Sequence, residues 1–544
     1  LLQRFSNPQQ LRGSASGYAL SLKLGFVATA AIATGFASPA YAQTFSPSPG
    51  DLIVSGSTYA GYPSLITVGE ALPGGGNAID NGGYPEVFQN DNPDSSFGVT
   101  SPIMLWDINP SDPSSSNVVG TYEVNPSSIT TSFSSKSELA INLTPNGTGI
   151  TFMGYDTGIN QLDISNSNTP GINYTGNTDS ATPTYREVAQ INFGTTVNSS
   201  GNIITPEVTT TNAYPGNNGR AAILASNGLY YTVGNAGNGG TLPTTVANAT
   251  GVQIVTPGTT ATSTTPGTTQ AGSYNITQNG YTADKASKDN NFRGETIFNN
   301  TLYVTKGSGS NGINSVYQVG TAGTLPTGGA TISILPGFST TLANSTTSPV
   351  SHPFGIWFAN ATTLYVADEG DGVFGDADAT NNPLVVIGGL EKWSLASNGT
   401  WVEDYNLTNG LDLGVQYSVA GLPASYDPAT DGLRNLTGEC DANGNCTLYA
   451  VTSTVDNSGS DEGADPNEVV EITDALSDTT LTQAANEQFS VVDPATDAVV
   501  YRGVALDDVS VPEPSNILGS LGVLGFGVFL KLRKRGTRED ITSK

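Results

Sequence analysis

A chain of 544 residues with one histidine, two cysteines and two methionines has little of the material from which metal and nucleophilic sites are usually built. His352 alone excludes three-histidine and two-histidine-carboxylate metal sites. The chain carries no G-x-S-x-G elbow opening a helix, and no glycine-rich phosphate loop ending in Lys and Ser/Thr. Positive charge is scarce, with 19 Lys and Arg against 47 Asp and Glu. That balance repels nucleic acid and anionic lipid. No apolar run reaches the about 20 residues of a comfortable membrane span. Helical periodicity is almost absent.

What the chain does have is short runs of β-branched and aromatic residues, broken by Gly, Asn, Asp, Ser and Pro. This is an all-β pattern, and its apolar content is too clustered for disorder. Laid side by side, the runs repeat. Gly219-Arg220-Ala221 precedes Leu229-Tyr230-Tyr231, and Phe292-Arg293-Gly294 precedes Leu302-Tyr303-Val304. Pro353-Phe354-Gly355 precedes Leu364-Tyr365-Val366, and Leu433-Arg434-Asn435 precedes Leu448-Tyr449-Ala450. A weaker copy begins at Ser137-Glu138-Leu139. Each pair reads as strand, tight turn, strand. Third strands are expected at 160–164, 315–319, 389–395 and 467–472.

The ends complete the pattern. Tyr501-Arg502-Gly503 begins a first strand with no second after it, whereas Asp51–Ser55 and Ile103–Ile108 look like second and third strands with no first. The expected fold is therefore a single all-β propeller closed by pairing of its N- and C-terminal strands. First strands at 137, 219, 292, 353, 433 and 501 give six blades, or seven if 157–218 hides a degenerate one. The Thr-rich stretch from Thr256 to about Asp284 has few apolar residues and reads as a long surface loop.

Four of the ten basic residues between the two ends are the repeat-position Arg220, Arg293, Arg434 and Arg502. They either ring the channel as an anion site or pair with carboxylates and carbonyls of the next blade and staple the ring. Two acidic loops should emerge on one face, at 368–382 and 456–467. In the first, Asp368, Asp371, Asp376 and Asp378 on a Gly-bent segment offer hard oxygen ligands of the kind Ca²⁺ takes, or form a solvated acidic loop. No other cofactor is implied. His352, before a first strand, is either a base or a turn residue. Cys440 and Cys446 flank an Asn-Gly turn and should form a disulfide across it.

The two ends carry export signals. Arg4, Arg12 and Lys23, an apolar stretch and Ala40-Tyr41-Ala42 make a secretory signal over 1–42. At the other end, Pro512-Glu513-Pro514 is followed by the apolar run 517–530 and Lys531-Leu532-Arg533-Lys534-Arg535. This order resembles the PEP-CTERM sorting tail of Gram-negative bacteria, over residues 511–535. The resemblance implies handling by the secretion machinery and an exosortase-type membrane protease, with release to the cell surface or extracellular matrix. It makes a transmembrane helix of the tail the protein's only hold on a membrane. Residues 43–510 are then the propeller and 536–544 a cytoplasmic end. Nine of the 19 basic residues lie in the export segments, so the body carries 10 basic against 45 acidic residues. Export also supplies the compartment for the disulfide.

Two functions are compatible with this reading. One is a non-catalytic binding or scaffold propeller engaging a surface glycan or protein. The other is a metal-assisted propeller enzyme of lyase or lactonase type with its site at the channel mouth. Mass spectrometry of the exported protein is expected to find the segment after Pro514 missing. Residues 520–544 still attached would refute processing.

Overall fold

The computed structural model describes residues 44–507, apart from 60–62, 88–97, 113–116, 134, 178, 238, 240, 308, 376–387 and 457–462. The expected signal segment, Pro512-Glu513-Pro514 and the apolar tail all lie outside the described residues, as do Asp376 and Asp378.

The described chain is all-β, with a few one-turn helices and a propeller-like arrangement of sheets. Four sheets have four strands each, and an eight-stranded sheet consists of two antiparallel four-stranded meanders. Strand pairing between those two halves is limited to the short parallel pairs Gly272↔Ala330 and Ser273↔Thr331, and one apolar cluster spans both. Asn/Gly-rich turns connect strands whose inward residues are aliphatic or aromatic, so each meander buries both faces against its neighbours.

The closing pair is the expected one. Leu52–Thr58 runs antiparallel to Val499–Leu506, with Leu52↔Leu506 and Val54↔Val504 opposite each other, and pairs on its other side with Ile103–Ile108. Side chains then tie each sheet to the next. Ser55 Oγ donates to Leu139 O at 2.6 Å, Thr151 Oγ1 to Ala222 O at 2.7 Å, and Arg220 to Phe292 O at 2.6 Å. Thr305 Oγ1 donates to Phe354 O, Ser453 Oγ to Glu369 O, and Asn435 Nδ2 to Arg502 O. The last link returns to the sheet that holds Ser55, so the series closes.

Two expectations need correction. The segment 160–164 is not a third strand. Asn160 and Asp163 have positive φ and Ile164–Asn166 is a 3-10 turn, so the chain cannot stay extended there. Arg186–Asn192 takes that place, and with Glu207–Thr211 it completes the sheet of Gly149–Tyr155. The Thr256–Asp284 stretch is also not simply a loop. Thr269–Ser273 is the outer strand of its meander, and Ala271, Tyr274 and Ile276 are buried. β-branched threonines suit an edge strand, and one tyrosine supplies the apolar area that the composition lacks. The disulfide Cys440–Cys446 joins two register partners with Cα atoms 3.9 Å apart, inside the about 4.4 Å at which the usual range begins.

Inner strands approach one another closely because they carry small residues after the repeat position. A Cβ on Gly355 would lie 2.5 Å from Arg434 O, and one on Gly294 would lie 2.2 Å from Phe354 O. Gly355→Ala is therefore expected to lower stability by about 1–3 kcal/mol through overpacking. Gly158→Ala, with open space around the added atom, should stay within about 0.5 kcal/mol. Urea unfolding of the two variants checks the contrast, and equal midpoints would contradict it.

Candidate functional site

The inner strands of all the meanders border one cavity of about 200 Å³, lined by residues that include Asn142, Ile223, Glu295, Trp357, Asn435 and Val504. A second cavity, of about 220 Å³, opens where the loops after the second strands meet the entries to the first strands. Lys136, His352, Glu369, Asp371, Asp431 and Arg434 border it, and Gly307, Gly309, Gly370 and Gly372 leave room for them. This mouth holds the densest set of ionisable groups that face open space.

Glu369 is its centre. The residue is 7 % exposed and accepts from Arg434 Nε at 3.3 Å. Burial alone would push its carboxyl up. The charges of Arg293, Arg434, Lys136 and His352 outweigh burial and hold it below the ordinary carboxylate value. Burial lowers His352, and nearby Lys306, Lys136 and Arg293 add to this against Glu369. Its Nδ1 is buried without a hydrogen-bond partner.

The other acids of the mouth brace loops. Asp368 ends the strand Thr363–Asp368 and accepts from His352 N at 2.7 Å and Gly370 N at 2.9 Å. Asp431 accepts from Gly372 N at 2.9 Å. Both are pushed up to about 7, chiefly by burial. Asp371 accepts from Val373 N at 3.0 Å, an ordinary turn bond. Thus both oxygens of Asp368, the first residue of the expected calcium set, already serve backbone amides. Among the described residues no three His, Cys, Asp or Glu side chains are arranged to hold a metal ion.

The four repeat arginines are buried, and three of them act across sheets. Arg220 donates to Phe292 O, Arg434 pairs with Glu369, and Arg502 donates to Phe133 O at 2.8 Å and to Gly463 O. Arg293 differs. It is 6 % exposed, lies 6.0 Å from the ring of Phe354, and its buried Nε has no hydrogen-bond partner.

Lys136 and Asp431 were not singled out in the sequence because nothing local marks them. Lys136 lies just ahead of a first strand and Asp431 near the start of the strand Ala429–Cys440, the only signal that could have found them. Another cluster is wholly internal. Lys392 Nζ pairs with Asp474 at 2.7 Å, donates to Ala475 O at 2.6 Å and Asp478 O at 2.8 Å, and reaches Tyr405 Oη at 3.0 Å. Its donors are satisfied and both ions are fully buried, so it is a brace between two sheets.

Several carboxyls beyond the mouth are also raised. Asp107 rises to about 7 through burial and then the charge of and hydrogen bond with Asp51, and burial lifts Glu187 and Glu487 to about 8. Each such group binds protons in the folded state that the unfolded chain has released. Its stabilising contribution is complete below about pH 4 and is lost as pH rises through about 7 to 8. Lys306, lowered to about 7 mainly by burial, works in the opposite sense but is outnumbered. Thermal melts are expected to give a higher Tm at pH 5.5 than at pH 8.5, and a rising Tm over that range would contradict this balance.

No family model matches the chain, and no curated protein matches it. Among solved structures, a hypothetical selenium-binding protein from Sulfolobus tokodaii is similar at TM-score 0.34 and 10% identity, over 86% of this chain and 98% of that one. The PQQ-bound aldose sugar dehydrogenase of Streptomyces coelicolor follows at TM-score 0.30 and 11% identity, over 69% and 93%. A puromycin-hydrolyzing peptidase of Mycobacterium tuberculosis has TM-score 0.28 and 12% identity, over 74% and 45%. Likenesses this distant carry no argument about activity.

Proposed function

We propose that this chain is an exported propeller of six blades that works at the cell surface or in the extracellular matrix as a non-catalytic binding or scaffold protein. Each four-stranded meander is taken as one blade, the eight-stranded sheet counting as two. The PEP-CTERM-like tail supplies the route, with an exosortase-type protease as processing partner and the tail as the only membrane contact. A surface glycan or protein is the expected ligand.

The observation that carries the binding role is the state of the mouth. Its described carboxylates hold backbone amides or an arginine, and His352 Nδ1 meets no carboxylate that would orient the ring as a base. Groups fixed in this way suit recognition of a polar ligand better than proton transfer. Expression in a Gram-negative host that sorts such tails, followed by cell fractionation, tests the reading. The wild-type chain should reach the surface or medium, and a chain cut before Pro512 should be exported but not held at the membrane. Cytoplasmic retention of the wild type, or steady turnover of lactone or polyuronate substrates by the purified protein, would overturn it.

A further inference from the structure

Lys392 on the strand Gly389–Leu395 and Asp474 on the strand Glu468–Ala475 belong to different sheets, and one apolar cluster packs across both. Nζ lies 2.7 Å from Asp474 Oδ2, and both side chains are wholly out of water. Two aromatic rings wall the pair, with Nζ 5.8 Å from the centre of the Tyr365 ring and 5.2 Å from that of Tyr405. A buried ion pair is costly, because desolvation of two charges offsets much of their attraction. Condensation to an amide would remove both charges at once.

The groups that such a condensation needs already touch the pair. Ala475 O at 2.6 Å and Asp478 O at 2.8 Å each accept from Nζ. A neutral amine has two N–H groups for those carbonyls and a lone pair left for the side where Asp474 lies. Tyr365 Oη donates to Asp474 Oδ2, and Tyr405 Oη donates to Oδ1. Burial and the Asp474 carboxylate push both phenols up, so they stay protonated as donors. Fixed donors of this kind stabilise the oxyanion of an acyl-transfer intermediate. Glu487 completes the set. Its Oε1 accepts from Ala475 N at 3.2 Å, and its Oε2 is buried and meets no donor. Burial and a hydrogen bond with Asp474 push this carboxyl up to about 8, so at neutral pH it holds a proton beside the Asp474 carboxyl.

We propose that Lys392 and Asp474 condense into an intramolecular isopeptide bond, with Glu487 as acid–base catalyst and the two tyrosines holding the oxyanion. The ion pair first passes a proton from Nζ to Asp474, giving an amine and a carboxylic acid. The lone pair of Nζ then forms the C–N bond at Cγ. Glu487 protonates the departing hydroxyl, the C–O bond breaks, and water leaves. Nζ gives up its surplus proton through Tyr405 Oη, to which it donates at 3.0 Å, and that proton restores Glu487. Ammonium and carboxylate thus become amide and water, with no oxidant or reductant. The product ties two sheets covalently through their third strands, whereas the disulfide spans a single hairpin.

Peptide mass mapping of the purified, exported protein tests the linkage. Trypsin is expected not to cut after Lys392. The digest should contain a branched peptide, holding Lys392 and Asp474, whose mass is one water below the sum of its two arms. Glu487→Gln keeps an acceptor for Ala475 N and should give the wild-type circular dichroism spectrum. It should also slow condensation by about a hundredfold, read as the linked fraction at successive times after synthesis. Complete tryptic cleavage after Lys392 in the wild type, with two linear peptides of full mass, would overturn the proposal. Condensation of Glu487→Gln at the wild-type rate would overturn the catalytic assignment.

Discussion

A ring of sheets has no free edge only if its last strand meets its first, and here that contact is the pairing of Val499–Leu506 with Leu52–Thr58. Everything inside the ring depends on it. The inner strands can crowd around a cavity because they are held in a closed series, and the hydroxyls of Ser55, Thr151 and Thr305 reach the next sheet only at that spacing. The same crowding removes water from the repeat arginines. Their charges are thereby made strong enough to depress Glu369 despite its burial.

The interior follows from this as a problem in charge placement. A body with so few basic residues puts several of them out of water, where each needs an acceptor. Arg186 goes far toward this, with hydrogen bonds from its terminal amino groups to Thr184 O at 2.7 Å, Ser167 O at 2.8 Å and Ser165 O at 3.2 Å, while its Nε stays unpartnered. Lys392 shows the ionic solution through Asp474. Arg293 shows neither: it lies 6.0 Å from the ring of Phe354 and its buried Nε has no hydrogen-bond partner.

Much of this was legible along the chain. The strand–turn–strand repeat, the split blade at the ends, the Cys440–Asn–Gly–Cys446 hairpin and the arginine column all appear as local patterns, because strand alternation and turn chemistry act over a few residues. The failures were equally local in origin. Residues 160–164 have the composition of a strand, but two residues with positive φ turn the chain. Thr269–Ser273 looks too polar for a sheet until a neighbour supplies the pairing.

The amino-acid sequence by itself determined the all-β class, the repeat and the acidity of the chain, since each is a property of short segments or of composition. Only the tertiary structure decided which charges meet. Glu369 and Arg434 are far apart in the chain, yet closure of the ring brings them to one opening. Whether a buried arginine finds a carbonyl, a carboxylate or empty space depends on the exact approach of neighbouring strands, and no local pattern records that distance.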